Sequence, residues 1–152
     1  MSQIEIRNAV DGDAATLTGF NIAMALETES KELPRDLVTS GVRQMLSRPD
    51  LGFYLVAEVD GGVAGCLGIT FEWSDWRNGL FWWIQSVFVV PEQRRKGVFG
   101  ALYKHVIDMA RGQASVCGVR LYVEKDNTNA QRTYQRLGMT ETEYRLFEIE
   151  FD

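Results

Sequence analysis

The stretch at residues 84–105 constrains the fold of this chain more than any other part of the sequence. It reads IQSVFVVPEQRRKGVFGALYKH. An apolar, β-branched run ends at Pro91, a basic turn follows, and helical apolar spacing begins at Gly97. This pattern predicts a strand, a tight loop and the N-terminus of a helix. Because a helix N-terminus has unpaired N–H groups and partial positive charge, the junction favours binding of a phosphate or pyrophosphate.

The basic turn adds two features that fit anion binding. The side chains of Arg94, Arg95 and Lys96 supply full positive charge, and the absence of a side chain at Gly97 lets a phosphate approach the backbone. The alternative interpretation is a solvated basic loop between two core elements. The dinucleotide pattern G-x-G-x-x-G and the triphosphate pattern G-x-x-x-x-G-K-S/T are both absent from this stretch.

The composition is typical of a single soluble domain. The chain has 152 residues, a formal net charge of -5 and a pI near 5.0, which argues against a general nucleic-acid binder. One histidine and two separated cysteines, Cys66 and Cys117 in apolar surroundings, predict no metal site and two reduced structural thiols. The N-terminus resembles no signal region, and no apolar run has the length of a membrane span. We therefore expect a cytoplasmic protein with no membrane partner.

Apolar periodicity predicts alternating strands and helices around one mixed sheet. Runs of period two indicate strands, and apolar residues three or four apart indicate helices. The predicted elements, in chain order, are a strand at 4–7, helices at 14–30 and 34–49, strands at 53–59, 63–71 and 80–90, a helix at 97–112, a strand at 119–124, a helix at 127–137 and a closing strand at 140–151. The order β-α-α-β-β-β-α-β-α-β indicates an α/β (α+β) fold in which helices flank the sheet, in one domain over residues 1–152.

Two predicted connections contain side chains that a substrate could meet. Residues 72–79 (EWSDWRNG) form a predicted loop, and tryptophans on and beside it either pack in the core or line an acceptor pocket. These tryptophans are Trp73, Trp76, Trp82 and Trp83. The acidic link at residues 27–32 is either a solvated loop or a lip that faces the substrate.

Residues 87–97 also match a family motif. Their spacing is similar to V-x-V-x-P-x-x-R-x-x-G-x-G/A, the coenzyme A motif of the GNAT superfamily of N-acetyltransferases. The matching residues are Val87, Val89, Pro91, Arg94 and Gly97. The chain differs at the final small position, where it has Phe99, and its second glycine follows as Gly100.

A second motif of the same family follows in the expected order. Residues 121–139 are similar to L-x-V-x-x-x-N-x-x-A-x-x-x-Y-x-x-x-G-F, with Met139 in place of the final aromatic residue. The matching residues are Leu121, Val123, Asn127, Ala130, Tyr134 and Gly138. With both motifs and the predicted elements in order, the resemblance covers essentially the whole chain.

The resemblance implies transfer of an acetyl group from acetyl-CoA, as co-substrate, to a primary amine of a small molecule or a protein. It implies that backbone groups of Val87 and Val89 pair with the pantetheine amides and polarise the thioester carbonyl. The N–H groups after Arg94 would hold the pyrophosphate, and Asn127 would contact the coenzyme. The full set of implied coenzyme contacts is Val87, Phe88, Val89, Arg94, Arg95, Lys96, Gly97, Val98, Phe99, Gly100, Asn127, Ala130 and Tyr134.

The resemblance further implies that Tyr134 is the general acid, and a phenol is a reasonable proton donor to a departing thiolate. A carboxylate acting through water could accept the proton of the amine. Glu72, Asp75 and Glu27 are the available carboxylates, and Glu72 is our candidate. Two other hypotheses stay open: a non-catalytic acyl-CoA sensor, and an interaction protein or homodimer that uses the tryptophan-rich stretch.

Overall fold

A computed structural model describes residues 3–151 of the chain. It contains five strands and four α-helices, in the predicted order as far as the last helix. The elements are β1 (Ile4–Asn8), α1 (Ala14–Glu29), α2 (Arg35–Ser47), β2 (Gly52–Val59), β3 (Gly62–Ser74), β4 (Gly79–Val89), α3 (Val98–Arg111), β5 (Val116–Arg120) and α4 (Thr128–Arg136). The α/β class and the mixed sheet flanked by helices are confirmed.

The five strands form one sheet in the order β1-β2-β3-β4-β5. Neighbouring strands from β1 to β4 are antiparallel, whereas β4 and β5 are parallel and are joined by α3. The turn between β2 and β3 has positive φ at Asp60 and Gly61, as the sequence Asp-Gly-Gly predicts. The parallel pair therefore lies at one edge of the sheet.

Helices cover both faces of the sheet. α1 and α2 pack on a cluster that includes Tyr54, Val56 and Cys66, which point to one face. The alternate residues Leu55 and Leu67 are also fully buried, and α3 packs against β1, β2, β3 and β5. Burial on both faces explains why β2 and β3 are apolar at nearly every position.

Two strand boundaries differ from the prediction in ways that affect the site. β3 continues to Ser74, so Glu72 and Trp73 lie on the strand and only residues 75–78 form the turn, with Asn78 at φ 48°. Cross-strand pairing with β4 stabilises these additional residues, which local sequence preference assigned to a loop. β5 begins and ends earlier than predicted, because it pairs with the start of β4.

The chain forms two compact units, residues 1–121 and residues 122–152. In the second unit, Asn127 caps α4 by accepting a hydrogen bond from the N–H of Ala130 at 3.2 Å, as predicted. Gly138 ends this helix region at φ 97°. Taken by itself, the described part of this unit has no strand or helix at residues 140–151, where the sequence predicts the closing strand.

The two cysteines differ in their surroundings. Cys66 is buried, its thiol donates a hydrogen bond to the carbonyl oxygen of Ser86 at 3.2 Å, and burial raises its pKa to about 12. This agrees with a structural thiol. Cys117 is exposed on β5, so the predicted apolar environment is wrong for this residue. Among residues 3–151, no helix has both the length and the apolar character that a membrane crossing needs.

An ion-pair network joins the first strand to the start of α1. The guanidinium of Arg7 contacts both carboxylate oxygens of buried Asp13, at 2.8 and 3.0 Å, and also donates to Glu58 on β2. Asp13 also accepts a hydrogen bond from the N–H of Val10 at 2.7 Å. The hydrogen bonds from Arg7 hold the pKa of Asp13 below its usual value.

We expect Asp13→Asn to lower the free energy of unfolding by about 2 kcal/mol at neutral pH, because it leaves Arg7 partly unpaired. A depressed pKa stabilises the fold above the unfolded-state pKa, and this contribution disappears as pH falls through the folded-state value. The difference between parent and variant should therefore shrink below about pH 4. Urea unfolding at several pH values measures it. Asp50→Asn is the control, since Asp50 pairs with Arg48 on the surface; an equal effect there would contradict the assignment.

Candidate functional site

The loop after β4 has the geometry that the basic turn predicted. A 3-10 turn at Pro91–Gln93 follows the strand, Arg95 has φ 63°, and Gly97 has φ 89° immediately before α3 begins at Val98. A side chain built at Gly97 would meet no atom within 4 Å. Positive φ therefore explains the glycine, and the space in front of it is open.

The start of α3 is available for an anion. In the part of the chain that the structure describes, no side chain caps this helix start, and its first turn begins in the open space beside Gly97. Arg95 and Lys96 are exposed on the same loop, whereas Val98 is buried and holds the first turn against β3. Free N–H groups at a helix start beside two cations are the groups that anion binding requires, so the loop remains a candidate anion site.

Arg94 has a different role from its two neighbours. Its Nε donates to the carbonyl oxygen of Val89 at 2.8 Å, and its guanidinium forms an ion pair with Glu27 at 2.7 Å. The same guanidinium lies 5.4 Å from the ring of Phe88. Arg94 therefore fixes the loop to β4 and to the last turn of α1. Glu27 lies on that helix and is paired, so the predicted acidic loop at residues 27–32 is wrong for this residue.

The second half of β4 has an open edge. β4 pairs with β5 only from Leu80 to Trp83, and within residues 3–121 its segment 84–89 pairs with β3 alone. An extra residue in β4 creates a bulge, where Ser86 has φ 53° and its carbonyl accepts the Cys66 thiol. The backbone of Val87 and Val89 therefore lies on a strand whose other edge can pair with an extended ligand.

The carboxylate of Glu72 on β3 is held by side chains from β4 and β5. Glu72 Oε1 accepts a hydrogen bond from Trp83 Nε1 on β4 at 2.9 Å and from Arg120 Nη1 on β5 at 3.0 Å. Both bonds lower the pKa of Glu72, and the bond from Trp83 has the larger effect. A carboxylate with a lowered pKa is anionic at neutral pH and is a weak proton acceptor.

The arginine that holds Glu72 is itself fixed by an aromatic ring. Arg120 lies 3.6 Å from the centre of the Phe81 ring, and that ring covers Gly118, where a Cβ would come within 2.7 Å of it. Gln85 donates to the hydroxyl of Thr70 at 3.2 Å on the same face of the sheet. A row of polar side chains thus extends across β3, β4 and β5 beside the open edge.

The tryptophans divide between packing and exposure. Trp82 is buried among Phe53 and Phe71, with ring centres 5.3 and 6.2 Å away. Trp73 and Trp76 are exposed by 58% and 83% on the hairpin between β3 and β4. Packing in the core, the first of the two predicted roles, is therefore confirmed for Trp82. Trp73 and Trp76 on the hairpin lie outside the core. Asp75 lies in the exposed turn.

Three of the predicted site residues belong to the second unit. Asn127 and Ala130 form the cap of α4, and Tyr134 lies on the same helix. Burial raises the pKa of Tyr134, so its hydroxyl stays protonated at neutral pH. Of the remaining positions, Phe88 packs on Phe20, the half-buried ring of Phe99 faces Tyr103, and Gly100 is exposed in the first turn of α3.

Sequence reasoning missed Arg120 and Ser86. Arg120 is a charged residue in an otherwise apolar predicted strand. A charged side chain within a sheet needs a partner of opposite charge, so its position could have indicated an ion pair. Ser86 gave no such indication, since nothing in the residue type signals positive φ. Only the register between β4 and β3 shows the bulge.

The chain is similar in sequence to a protein family and to a named relative. The family model described as acetyltransferase (GNAT) family matches residues 20–139. A mycothiol acetyltransferase of Mycolicibacterium gilvum is 33% identical over 91 residues, which cover 57% of this chain and 29% of that protein. The match thus spans less than a third of the length of that relative.

Solved structures share the whole fold. The crystal structure of a possible acetyltransferase from Clostridium difficile 630 has a TM-score of 0.92 and 45% identity, with 98% of each chain covered. Aminoglycoside N-acetyltransferase AAC(6')-Iy in complex with CoA has a TM-score of 0.81 and 20% identity, with 99% of this chain and 96% of the other covered. The family model covers most of the chain, so this protein belongs to the acetyltransferase (GNAT) family.

Proposed function

We propose that this protein transfers the acetyl group of acetyl-CoA to a primary amine of a small molecule. The observation that carries the proposal is the open edge of β4 at residues 84–89, which leads directly to the uncapped start of α3. An extended amide-containing arm can pair with such an edge, and a pyrophosphate can bind the helix start behind it. Family membership supports the same reaction class.

The residues of this loop fit a coenzyme with an anionic end. Backbone groups of Val87 and Val89 would pair with the pantetheine amides, while the N–H groups at residues 97–100 would bind the pyrophosphate. Arg95 and Lys96 would add charge at the rim, and Arg94 would keep the loop in place through Val89 and Glu27. Acetyl-CoA supplies an electrophilic carbonyl carbon and a thiolate leaving group.

Side chains of the protein would donate and accept the protons that the reaction moves. When the neutral amine attacks the acetyl carbon, the C–S bond breaks and the departing sulfur needs a proton, which Tyr134 would donate. The amine loses a proton to water or to a carboxylate. Because its pKa is lowered, Glu72 is better suited to bind the protonated amine before reaction than to act as a strong base.

Similar proteins support a small acceptor. The names of two of them contain mycothiol and aminoglycoside, both small molecules. A panel of amino sugars, polyamines, amino acids and peptides, assayed for free thiol release from acetyl-CoA, tests the proposal. Release with at least one amine supports an enzyme. Coenzyme binding without release for any amine would favour the acyl-CoA sensor instead.

We expect Glu72→Gln to raise the KM for a cationic acceptor roughly 10–100-fold, since a hydrogen bond to a charged group contributes about 1.5–3 kcal/mol. The dissociation constant for coenzyme A should change little, because Glu72 lies on β3 opposite Phe81, outside the 84–89 segment of β4 where the coenzyme would pair. Steady-state kinetics at low and high salt measure the effect, which should weaken with salt. Asp75→Asn, in the exposed turn three residues away, is the matched control. Equal KM values for parent and Glu72→Gln would remove Glu72 from the acceptor site.

A further inference from the structure

Glu72 and Arg120 form an ion pair that leaves part of each charged group unused. The two hydrogen bonds that Glu72 accepts, from Trp83 Nε1 and Arg120 Nη1, both end on Oε1. Within residues 3–121, the structure gives no hydrogen-bond partner to Glu72 Oε2 or to Nε and Nη2 of Arg120. An arginine and a carboxylate frequently pair through two parallel bonds, and a single-bond pair at a protein surface contributes little to stability. The remaining donors and the remaining oxygen can therefore bind a ligand.

The unused edge of Arg120 is held in a fixed orientation. Its guanidinium carbon lies 3.6 Å from the centre of the ring of Phe81, which is buried. Nε and Nη2 form the side edge of the guanidinium, where two N–H groups point in one direction and match the two oxygens of a carboxylate. Because the ring already holds the guanidinium, little conformational entropy is lost when an anion binds this edge.

A second arginine adds positive charge beside the same ring. The guanidinium carbon of Arg77 lies 5.0 Å from the centre of the Phe81 ring, so Arg77 and Arg120 are within about one Debye length, ~10 Å at 0.1 M salt, of each other. Both arginines also act on Glu72, whose pKa they help to lower. Two cations thus surround one carboxylate, and their field attracts a further negative group.

These charged groups lie where the open edge of β4 begins. Trp83 and Arg120 form the last residue pair between β4 and β5. Within residues 3–121, the following segment of β4, residues 84–89, pairs with β3 alone, and the coenzyme would pair there. A molecule that contacts Arg120 therefore lies next to the place where the acetyl group would be delivered.

We propose that the acceptor is an amino acid or another amine with a carboxylate, which binds the Nε–Nη2 edge of Arg120 while an ammonium group of the same molecule binds Oε2 of Glu72. This inference rests on the proposed acetyl transfer and names the class of its acceptor. A zwitterion pairs with both members of the ion pair. A diamine pairs only with Glu72 and brings a second positive charge close to Arg77 and Arg120, so it binds more weakly.

Matched acceptors test the role of the carboxylate. Thiol release from acetyl-CoA is measured for amino acids against their carboxamides, and for lysine against cadaverine, which is lysine without its carboxylate. We expect kcat/KM to be roughly 10–100-fold higher for the acids, as for one hydrogen bond to a charged group. Equal values for acids, carboxamides and cadaverine would overturn this inference and leave the acetyl transfer standing. No release with any amine would contradict the transfer itself, and the acceptor class with it.

Variants of Arg120 test whether this residue reads the carboxylate. Arg120→Gln should abolish the preference for acids over carboxamides, and Arg120→Lys, which keeps the charge and loses the fork, should retain only part of it. Arg111→Gln, at the end of α3, is the control and should keep the parental preference. Circular dichroism checks the fold of each variant. A purely structural Arg120 would lower kcat/KM for acids and carboxamides by the same factor, so an unchanged preference in both Arg120 variants would overturn the proposal.

Discussion

Replacing Tyr134 with phenylalanine should reduce the turnover number by about 10²–10⁴-fold, the usual contribution of general acid catalysis. The hydroxyl is proposed to interact with the leaving sulfur only as negative charge develops there. The dissociation constant for coenzyme A should therefore stay close to that of the parent. Measuring turnover and coenzyme affinity on the same preparation separates the two effects, and a matching loss in both would indicate a distorted site.

The pH profile provides a second readout for Tyr134. A proton donor must be protonated to act, and burial raises the pKa of Tyr134, so the parent should keep its activity up to an alkaline limit above the ordinary tyrosine value. That alkaline loss should disappear in Tyr134→Phe. Tyr54→Phe is the matched control, because Tyr54 is a core tyrosine whose pKa burial also raises. Parental turnover in Tyr134→Phe would move the proton donor to water or to another side chain.

The second large effect is expected at Gly97. A β-branched residue at φ 89° is strongly strained, so Gly97→Val should distort the loop and move the first N–H groups of α3. We expect coenzyme A to bind about 100-fold more weakly, which corresponds to about 2.7 kcal/mol. The parent should gain a similar free energy of unfolding at about 100 times the dissociation constant. Thermal unfolding with and without coenzyme A measures both quantities.

Gly61 provides a matched control for strain alone. It has φ 83° in the turn between β2 and β3, and a side chain there would also meet no atom within 4 Å. Gly61→Val should therefore destabilise the fold to a similar extent and leave coenzyme affinity unchanged. Gly97→Asn separates backbone strain from side-chain bulk, because asparagine tolerates positive φ. If Gly97→Val binds coenzyme A as tightly as the parent, the anion site lies elsewhere.

The sequence predicted much of the local structure around the candidate site. The apolar run, Pro91 and the basic turn were sufficient to predict β4, the loop and the start of α3, because each depends on residues close in sequence. Asn127 as the cap of α4 was predicted for the same reason. The role of Arg94 was not, since its partners Val89 and Glu27 meet it only in the folded chain.

Interactions between strands decided the rest. Glu72 appeared to lie in a loop, and only the register of β3 with β4 placed it on a strand beside Trp83, with Arg120 contributed from β5. The bulge at Ser86 is likewise a matter of pairing, since it follows from the register of β4 with β3. The sequence by itself determined the family, the element order and the loop before α3, because these follow from local propensity and motif spacing. Only the tertiary structure decided which backbone edges stay open and which charges meet, because pairing between distant segments depends on register.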